Sequence, residues 1–200
     1  MDAKTTTTVE LDEDARLWLW HGVFGQRADA LLHSLADELP WQQPHLTLYG
    51  REHPIPRLQC WMGDDHAQYR YSGLLLEPVP WHKAVSGIRD KVTALCGHSF
   101  NAVLINQYRD GNDRMGWHSD DEPELGVQPW IASYNLGAKR AFAFRRRGQT
   151  RTGHTLELAH DQLLLMSPGV QHGWQHAVPV RQRIHDRRIN LTFRHIVENR

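Results

Sequence analysis

Between residues 101 and 195 the sequence breaks into short strand-forming runs separated by turn chemistry. This texture restricts the fold more than any other feature of the 200-residue chain. The runs cover residues 102–108, 131–136, 141–145, 155–158, 163–166 and 189–195. Asp110-Gly111-Asn112 and Ser167-Pro168-Gly169 are turn formers between them. Many short strands within about a hundred residues predict a sandwich or barrel. Upstream, Leu17-Trp18-Leu19-Trp20 reads as a first strand. Ala28, Leu31, Leu32, Leu35, Ala36 and Leu39 then recur at helical spacing, and Pro40 ends that helix. Trp81, Val85, Ile88, Val92 and Leu95 share one face of a second helix, which Gly97 stops. The two helices would cover one face of the sheets. The fold class is therefore mostly β with flanking helices (α+β), in one domain over residues 1–200. Residues 1–8, polar and threonine-rich, read as a disordered tail, residues 41–80 as an irregular surface lid and not core, and residues 100–196 as the β core.

Formal net charge is zero, so overall charge predicts no partner. Cys60 and Cys96 do not make a disulfide scaffold, and the chain reads as cytoplasmic. No apolar stretch approaches the length of a membrane span and no signal-peptide pattern opens the chain, so no membrane partner is expected. Fourteen histidines and eight tryptophans favour metal and stacking chemistry.

His118-Ser119-Asp120 is the chain's one His-x-Asp. Positions two apart on a strand point the same way, so His118 and Asp120 can reach one metal. With a second histidine they would form the facial triad that holds non-haem Fe(II) and leaves positions open. The plain alternative is a surface loop after a strand. His154, His160, His172, His176, His185 and His195 all lie downstream, and spacing alone does not choose among them.

In the last run Ile189, Leu191 and Phe193 alternate with Arg188, Asn190, Thr192 and Arg194. Period two puts the apolar three on one face and the polar four on the other. An edge strand with a solvated polar face is the common case. The alternative packs the apolar face under the helices and lines the interior with the polar one. Two interior arginines are costly unless an anion pairs with them, and a carboxylate matches the guanidinium fork. Asn106 and Tyr108 show the same period and could bond the same anion.

Four elements in this order, Asn106-Gln107-Tyr108-Arg109-Asp110-Gly111, His118-Ser119-Asp120-Asp121-Glu122, His176-Ala177-Val178-Pro179 and Arg188-x-Asn190-x-Thr192-x-Arg194, resemble the AlkB family of Fe(II)- and 2-oxoglutarate-dependent dioxygenases. Similarity runs upstream through Tyr69-Arg70-Tyr71-Ser72-Gly73 and is closest to the DNA-repair members of bacteria and nuclei. The resemblance implies a double-stranded β-helix (jelly-roll) core with N-terminal helices and a nucleotide-recognition lid. It implies His118, Asp120 and His176 as iron ligands, with one position left for O2 beside a bidentate 2-oxoglutarate. Asn106, Tyr108, Arg188, Asn190, Thr192 and Arg194 would surround 2-oxoglutarate, Arg188 at the far carboxylate and Arg194 near the metal-bound end. Tyr49, Tyr69, Arg70, Tyr71, Asp121 and Glu122 would contact the substrate. The implied reaction is oxidative demethylation of N-alkylated bases of the 1-methyladenine and 3-methylcytosine type in DNA, releasing formaldehyde and succinate. The base would be flipped or single-stranded. The cluster Lys139, Arg140, Arg145, Arg146, Arg147 and Arg151 would meet the phosphate backbone. The chain would act as a monomer, cytoplasmic in a bacterium or nuclear in a eukaryote. A 2-oxoglutarate oxygenase acting on RNA or protein, and a non-catalytic metal-binding β-sandwich, are the other classes considered.

Overall fold

A computed structural model of the chain describes residues 4–48, 50–71 and 74–197. The first half contains β1 (Lys4–Glu10), β2 (Arg16–His21), α1 (Ala28–Glu38), β3 (His45–Leu48), β4 (Arg51–Pro54), β5 (Leu58–Gly63), β6 (Tyr69–Tyr71), β7 (Leu74–Leu76) and α2 (Lys83–Cys96). The second half contains β8 (Ala102–Tyr108), β9 (Met115–His118), β10 (Ile131–Gly137), β11 (Arg140–Arg146) and β12 (His154–Leu158). It closes with β13 (Gln162–Met166), the short α3 (Pro168–Gly173), β14 (Trp174–Val178) and β15 (Arg188–Arg194).

Two antiparallel sheets carry the core. One has seven strands in the order β1-β2-β13-β10-β15-β8-β5, the other four in the order β12-β11-β14-β9. Apolar residues of both, among them Leu104, Ile131 and Leu164 from the first and Phe142, Phe144 and Val178 from the second, share one buried cluster. A second cluster joins the other face of the large sheet to the helices through Leu35, Val85, Ile88 and Val92. The order of layers is helices, large sheet, small sheet, as the turn-punctuated runs predicted.

The helices start and stop where side chains dictate. Leu39, ahead of Pro40, is already extended, because a residue before proline avoids the helical region. The Trp41 indole N–H then donates to the freed Ala36 carbonyl at 3.0 Å. The α2 cap is Gly97 at φ +71°, a left-handed conformation that costs glycine little.

Two expectations are corrected. From Lys4 on, the polar start is not a disordered tail: Lys4–Glu10 pairs along β2, and residues 1–3 lie outside the described residues. Its threonines are β-branched, and that stiffness suits an extended chain. Residues 41–80 are not all surface, since β5 is buried and pairs with β8 at the margin of the large sheet. Cys60 and Met62 face the helices while Trp61 faces the intersheet core, so both faces of β5 are covered.

β15 lies between β10 and β8, inside the large sheet and not at its edge. Ile189, Leu191 and Phe193 pack in the helix-side cluster. Arg188, Asn190, Thr192 and Arg194 are therefore on the intersheet side, and all four are buried. Gly137 sits opposite Arg188, with φ +87°, and a Cβ there would fall 2.3 Å from the Arg187 carbonyl oxygen. Gly137→Ala should lower Tm by roughly 2–8 °C from backbone strain alone, with the clash adding to this. Thermal unfolding followed by circular dichroism checks it, and an unchanged Tm would contradict the close approach.

Candidate metal centre and anion pocket

β9 and β14 are paired, and their register sets His118 opposite His176. The two rings stand 4.3 Å apart between centroids. The His118 Nδ1–H donates to the Gly116 carbonyl at 2.9 Å, which makes Nε2 the nitrogen with the lone pair. His176 Nε2 lies 3.5 Å from Asp120 Oδ2. One donor atom from each of His118, Asp120 and His176 falls within 4.8 Å of the others, a spacing that can hold a metal ion.

Asp120 reaches this position by a route other than the one expected. β9 ends at His118, so the two residues are not successive inward positions of one strand. The segment after His118 is instead tied to the region of β14. The Ser119 hydroxyl donates to the Trp174 carbonyl at 2.8 Å, and the Asp120 N–H donates to Gln171 Oε1 at 2.9 Å. Asp120 Oδ1 accepts from Arg194 Nη2 at 2.5 Å, while Oδ2 is buried without a hydrogen-bond partner.

The electrostatics follow from burial. Desolvation alone would raise the Asp120 pKa, but the Arg194 guanidinium, with both histidines, overrides it and holds the carboxyl well below the usual range. Desolvation and the neighbouring His176 push His118 down to about 3, against the opposing pull of Asp120. Both groups are thus in the deprotonated form that metal ligation requires.

The polar face of β15 builds the second half of the site. Arg188 is 1% exposed and donates from Nη2 to Asn135 Oδ1, yet its Nε and Nη1 have no hydrogen-bond partner among the described residues. No carboxylate pairs with it among the described residues. Its guanidinium lies 5.0 Å from the Tyr108 ring centre, and burial lowers its pKa to about 10. Asn190 Nδ2 donates to Ser133 Oγ at 2.7 Å, and Thr192 Oγ1 donates to Asn190 Oδ1 at 3.0 Å. Asn106, Tyr108, Asn190, Thr192 and Arg194 line one narrow pocket together with His118, Asp120 and His176.

The two carboxylates after Asp120 diverge. Asp121 points outward and pairs with Arg147. Glu122 turns inward, where desolvation and then Asp120 raise its pKa, with Tyr69 opposing. Tyr69 is fully buried, stacked on Trp61 at 4.9 Å and 5.5 Å beneath the Arg194 guanidinium. It lies beside the candidate metal centre and not on an exposed stacking face. Tyr49 lies outside the described residues, as do the side chains of Arg70 and Tyr71.

The basic cluster is corrected in part. Arg140 is 1% exposed and donates to the carbonyls of Asp110, Asp113 and Pro179, so it is internal wiring and not a phosphate contact. Arg146 is tied to Asp12 at 2.8 Å. Arg145 lies over Trp117 at 4.4 Å, and Lys139 and Arg151 are exposed.

Sequence reasoning missed Ser119, Ser133, Asn135, Arg57 and Gln171. Ser133 and Asn135 carried a signal, polar residues at period two within an apolar strand. Arg57 donates from Nε to Asn106 Oδ1 at 2.8 Å, and nothing in its irregular surroundings marks it.

The description 2OG-Fe(II) oxygenase superfamily matches residues 17–194. The chain is 40% identical over 186 residues to human "DNA oxidative demethylase ALKBH2", covering 88% of this chain and 71% of that one. It is 36% identical over 190 residues to human "Alpha-ketoglutarate-dependent dioxygenase alkB homolog 3", covering 90% and 66%. Among solved structures it is similar to OsALKBH1, with a TM-score of 0.62 at 16% identity over 94% of this chain and 100% of that one. That likeness is one of fold, and it agrees with a jelly-roll core.

Proposed function

The chain belongs to the 2OG-Fe(II) oxygenase superfamily, and from that premise we propose that it oxidatively demethylates N-alkylated bases in DNA. The observation that carries this reading is Arg188, a buried cation with two unpartnered donors, on the same strand face as the arginine that grips Asp120. A group that could hold a metal, with buried arginines on the strand beside it, suits a 2-oxoglutarate oxygenase. The relatives named DNA oxidative demethylases supply the substrate class.

The residues present fit Fe(II) and 2-oxoglutarate. Asp120 Oδ2 is buried 3.5 Å from His176 Nε2, and one donor atom from each of His118, Asp120 and His176 lies within 4.8 Å of the others. His118, Asp120 and His176 would hold the metal. Arg188 would take the far carboxylate of 2-oxoglutarate, with Asn106, Tyr108, Asn190 and Thr192 around the cosubstrate and Arg194 near the metal-bound end. When bound, Fe(II), 2-oxoglutarate and O2 supply the oxidation of an N-methyl C–H bond and leave succinate and carbon dioxide. Arg194 keeps Asp120 ionised and oriented. Glu122, turned inward near Asp120 and Tyr69, would set its carboxylate against a methylated, cationic base. Asp121 is committed to Arg147, which favours Glu122 over Asp121 for this contact. Tyr69, buried against Trp61 and the Arg194 guanidinium, would back the site from the lid side. The hydroxymethyl product collapses to formaldehyde and the restored base. The base reaches the site only if flipped or already single-stranded.

The test is mass spectrometry of a single-stranded DNA oligonucleotide carrying one 1-methyladenine, with Fe(II), ascorbate and air, with and without 2-oxoglutarate. Loss of one methylene mass is expected only with 2-oxoglutarate. An unchanged oligonucleotide with succinate still formed would overturn the DNA reading and move the test to RNA carrying the same lesion.

A further inference from the structure

We propose that Gln171 is a positioning residue for the metal centre, fixing the backbone of Asp120 so that its carboxylate meets His118 and His176. This rests on the reading of those three residues as the ligands. The need arises from where β9 ends. Beyond His118 no ladder hydrogen bonds hold the chain, yet Asp120 must be placed to within about half an ångström for ligation.

Gln171 supplies the missing constraint from α3, 51 residues away in sequence. It is fully buried, and its Oε1 accepts the equally buried Asp120 N–H at 2.9 Å. The other half of its amide reaches only the Met166 sulfur at 3.7 Å, a weak acceptor. A buried amide so poorly satisfied on one side is costly, and an apolar residue of the same size would avoid that cost. The acceptor oxygen is what the position uses.

The surroundings hold Gln171 in turn. Arg147 Nη2 donates to the Gln171 carbonyl at 2.9 Å and pairs with Asp121, bracketing Asp120 from outside. Ser119 is fastened to the Trp174 carbonyl, two residues before His176. The segment bearing Asp120 is thus tied at two points to the segment bearing His176.

Gln171→Met keeps the size and removes the acceptor. Metal-free protein would be titrated with Mn2+, an O2-inert probe, by electron paramagnetic resonance. The dissociation constant should rise roughly 10- to 100-fold over wild type. Leu35→Ala serves as the control: Leu35 is buried under α1 on the far face of the large sheet, and its loss destabilises without touching the loop. Its Mn2+ affinity should match wild type. Should Gln171→Met fail to fold, Ser119→Ala, which releases the other tie, should weaken Mn2+ binding in the same direction. Wild-type affinity in the variant tested, or an equal loss in Leu35→Ala, would overturn the proposal. If the wild-type protein itself takes up no Mn2+, it is the ligand assignment that fails.

Discussion

Asp120→Ala should abolish turnover and also destabilise the metal-free protein, whereas His118→Ala should abolish turnover with little loss of stability. The difference lies in what each deletion leaves behind. Arg194 is 2% exposed, and Asp120 is its carboxylate partner at 2.5 Å. Removing the carboxylate strands a buried guanidinium, an effect of about 3–5 kcal/mol. In a domain of this size that is a fall in Tm of roughly 6–20 °C. His118 leaves no charge behind. Its ring is neutral in the folded state down to about pH 3, against an ordinary value of 6.5. The unfolded chain therefore binds more protons between those two pH values, and His118 subtracts stability as pH falls below 6.5. His118→Ala should accordingly lose less Tm than wild type between pH 7 and pH 5. Calorimetry of the metal-free variants at both pH values separates these outcomes. A wild-type Tm for Asp120→Ala would show that Arg194 does not depend on it, and residual turnover in either variant would remove that residue from the ligand set.

Much of this site is legible in the sequence because sheets convert period two into faces. Ile189, Leu191 and Phe193 against Arg188, Asn190, Thr192 and Arg194 predict one apolar and one polar face, and β15 shows that division. The pattern alone does not say that the polar face is buried. That depends on the position of β15 between β10 and β8, which is a property of topology. The same limit explains Arg140. In the sequence it is one of six cations in a hairpin, but in the fold it is enclosed by three carbonyls, and charge counting carries no information on burial.

His118 and Asp120 mark a different limit. The two residues do come together with His176, but for a reason the strand rule does not contain. Met115-Gly116-Trp117-His118 is a short strand that stops at His118, and a buried glutamine from α3 holds the Asp120 backbone. A contact across 51 residues from one turn of helix has no periodic signature. β5 escaped notice for a related reason. Its residues Leu58-Gln59-Cys60-Trp61-Met62-Gly63 are covered on both faces, so hydrophobic alternation is absent where burial is greatest.

Arg188→Met should weaken 2-oxoglutarate binding while leaving the cosubstrate-free protein as stable as wild type or more so. The opposite signs follow from one fact, that this guanidinium is buried with Nε and Nη1 unpartnered and no carboxylate beside it. Without cosubstrate it is an uncompensated buried charge, which burial already marks by pulling its pKa down to about 10. Replacing such a charge by an apolar side chain of similar volume is often neutral or stabilising by about 1–4 kcal/mol. Arg188 donates to Asn135 Oδ1, which Asn190 Nδ2 also reaches at 3.2 Å, so the substitution does not orphan that acceptor. With cosubstrate the balance reverses. A buried hydrogen-bonded charge pair loses about 2–5 kcal/mol when one partner is truncated, roughly a 30-fold to several-thousand-fold rise in the 2-oxoglutarate dissociation constant. Isothermal titration of the Mn2+-loaded protein with 2-oxoglutarate, set beside the Tm of the cosubstrate-free variant, reads both signs. An arginine present only for structure would give the reverse pair, a lower Tm with unchanged 2-oxoglutarate affinity. Because no general loss of stability can raise Tm and weaken one ligand at once, the pair of signs identifies Arg188 as a cation held in place for an anion that arrives with the reaction.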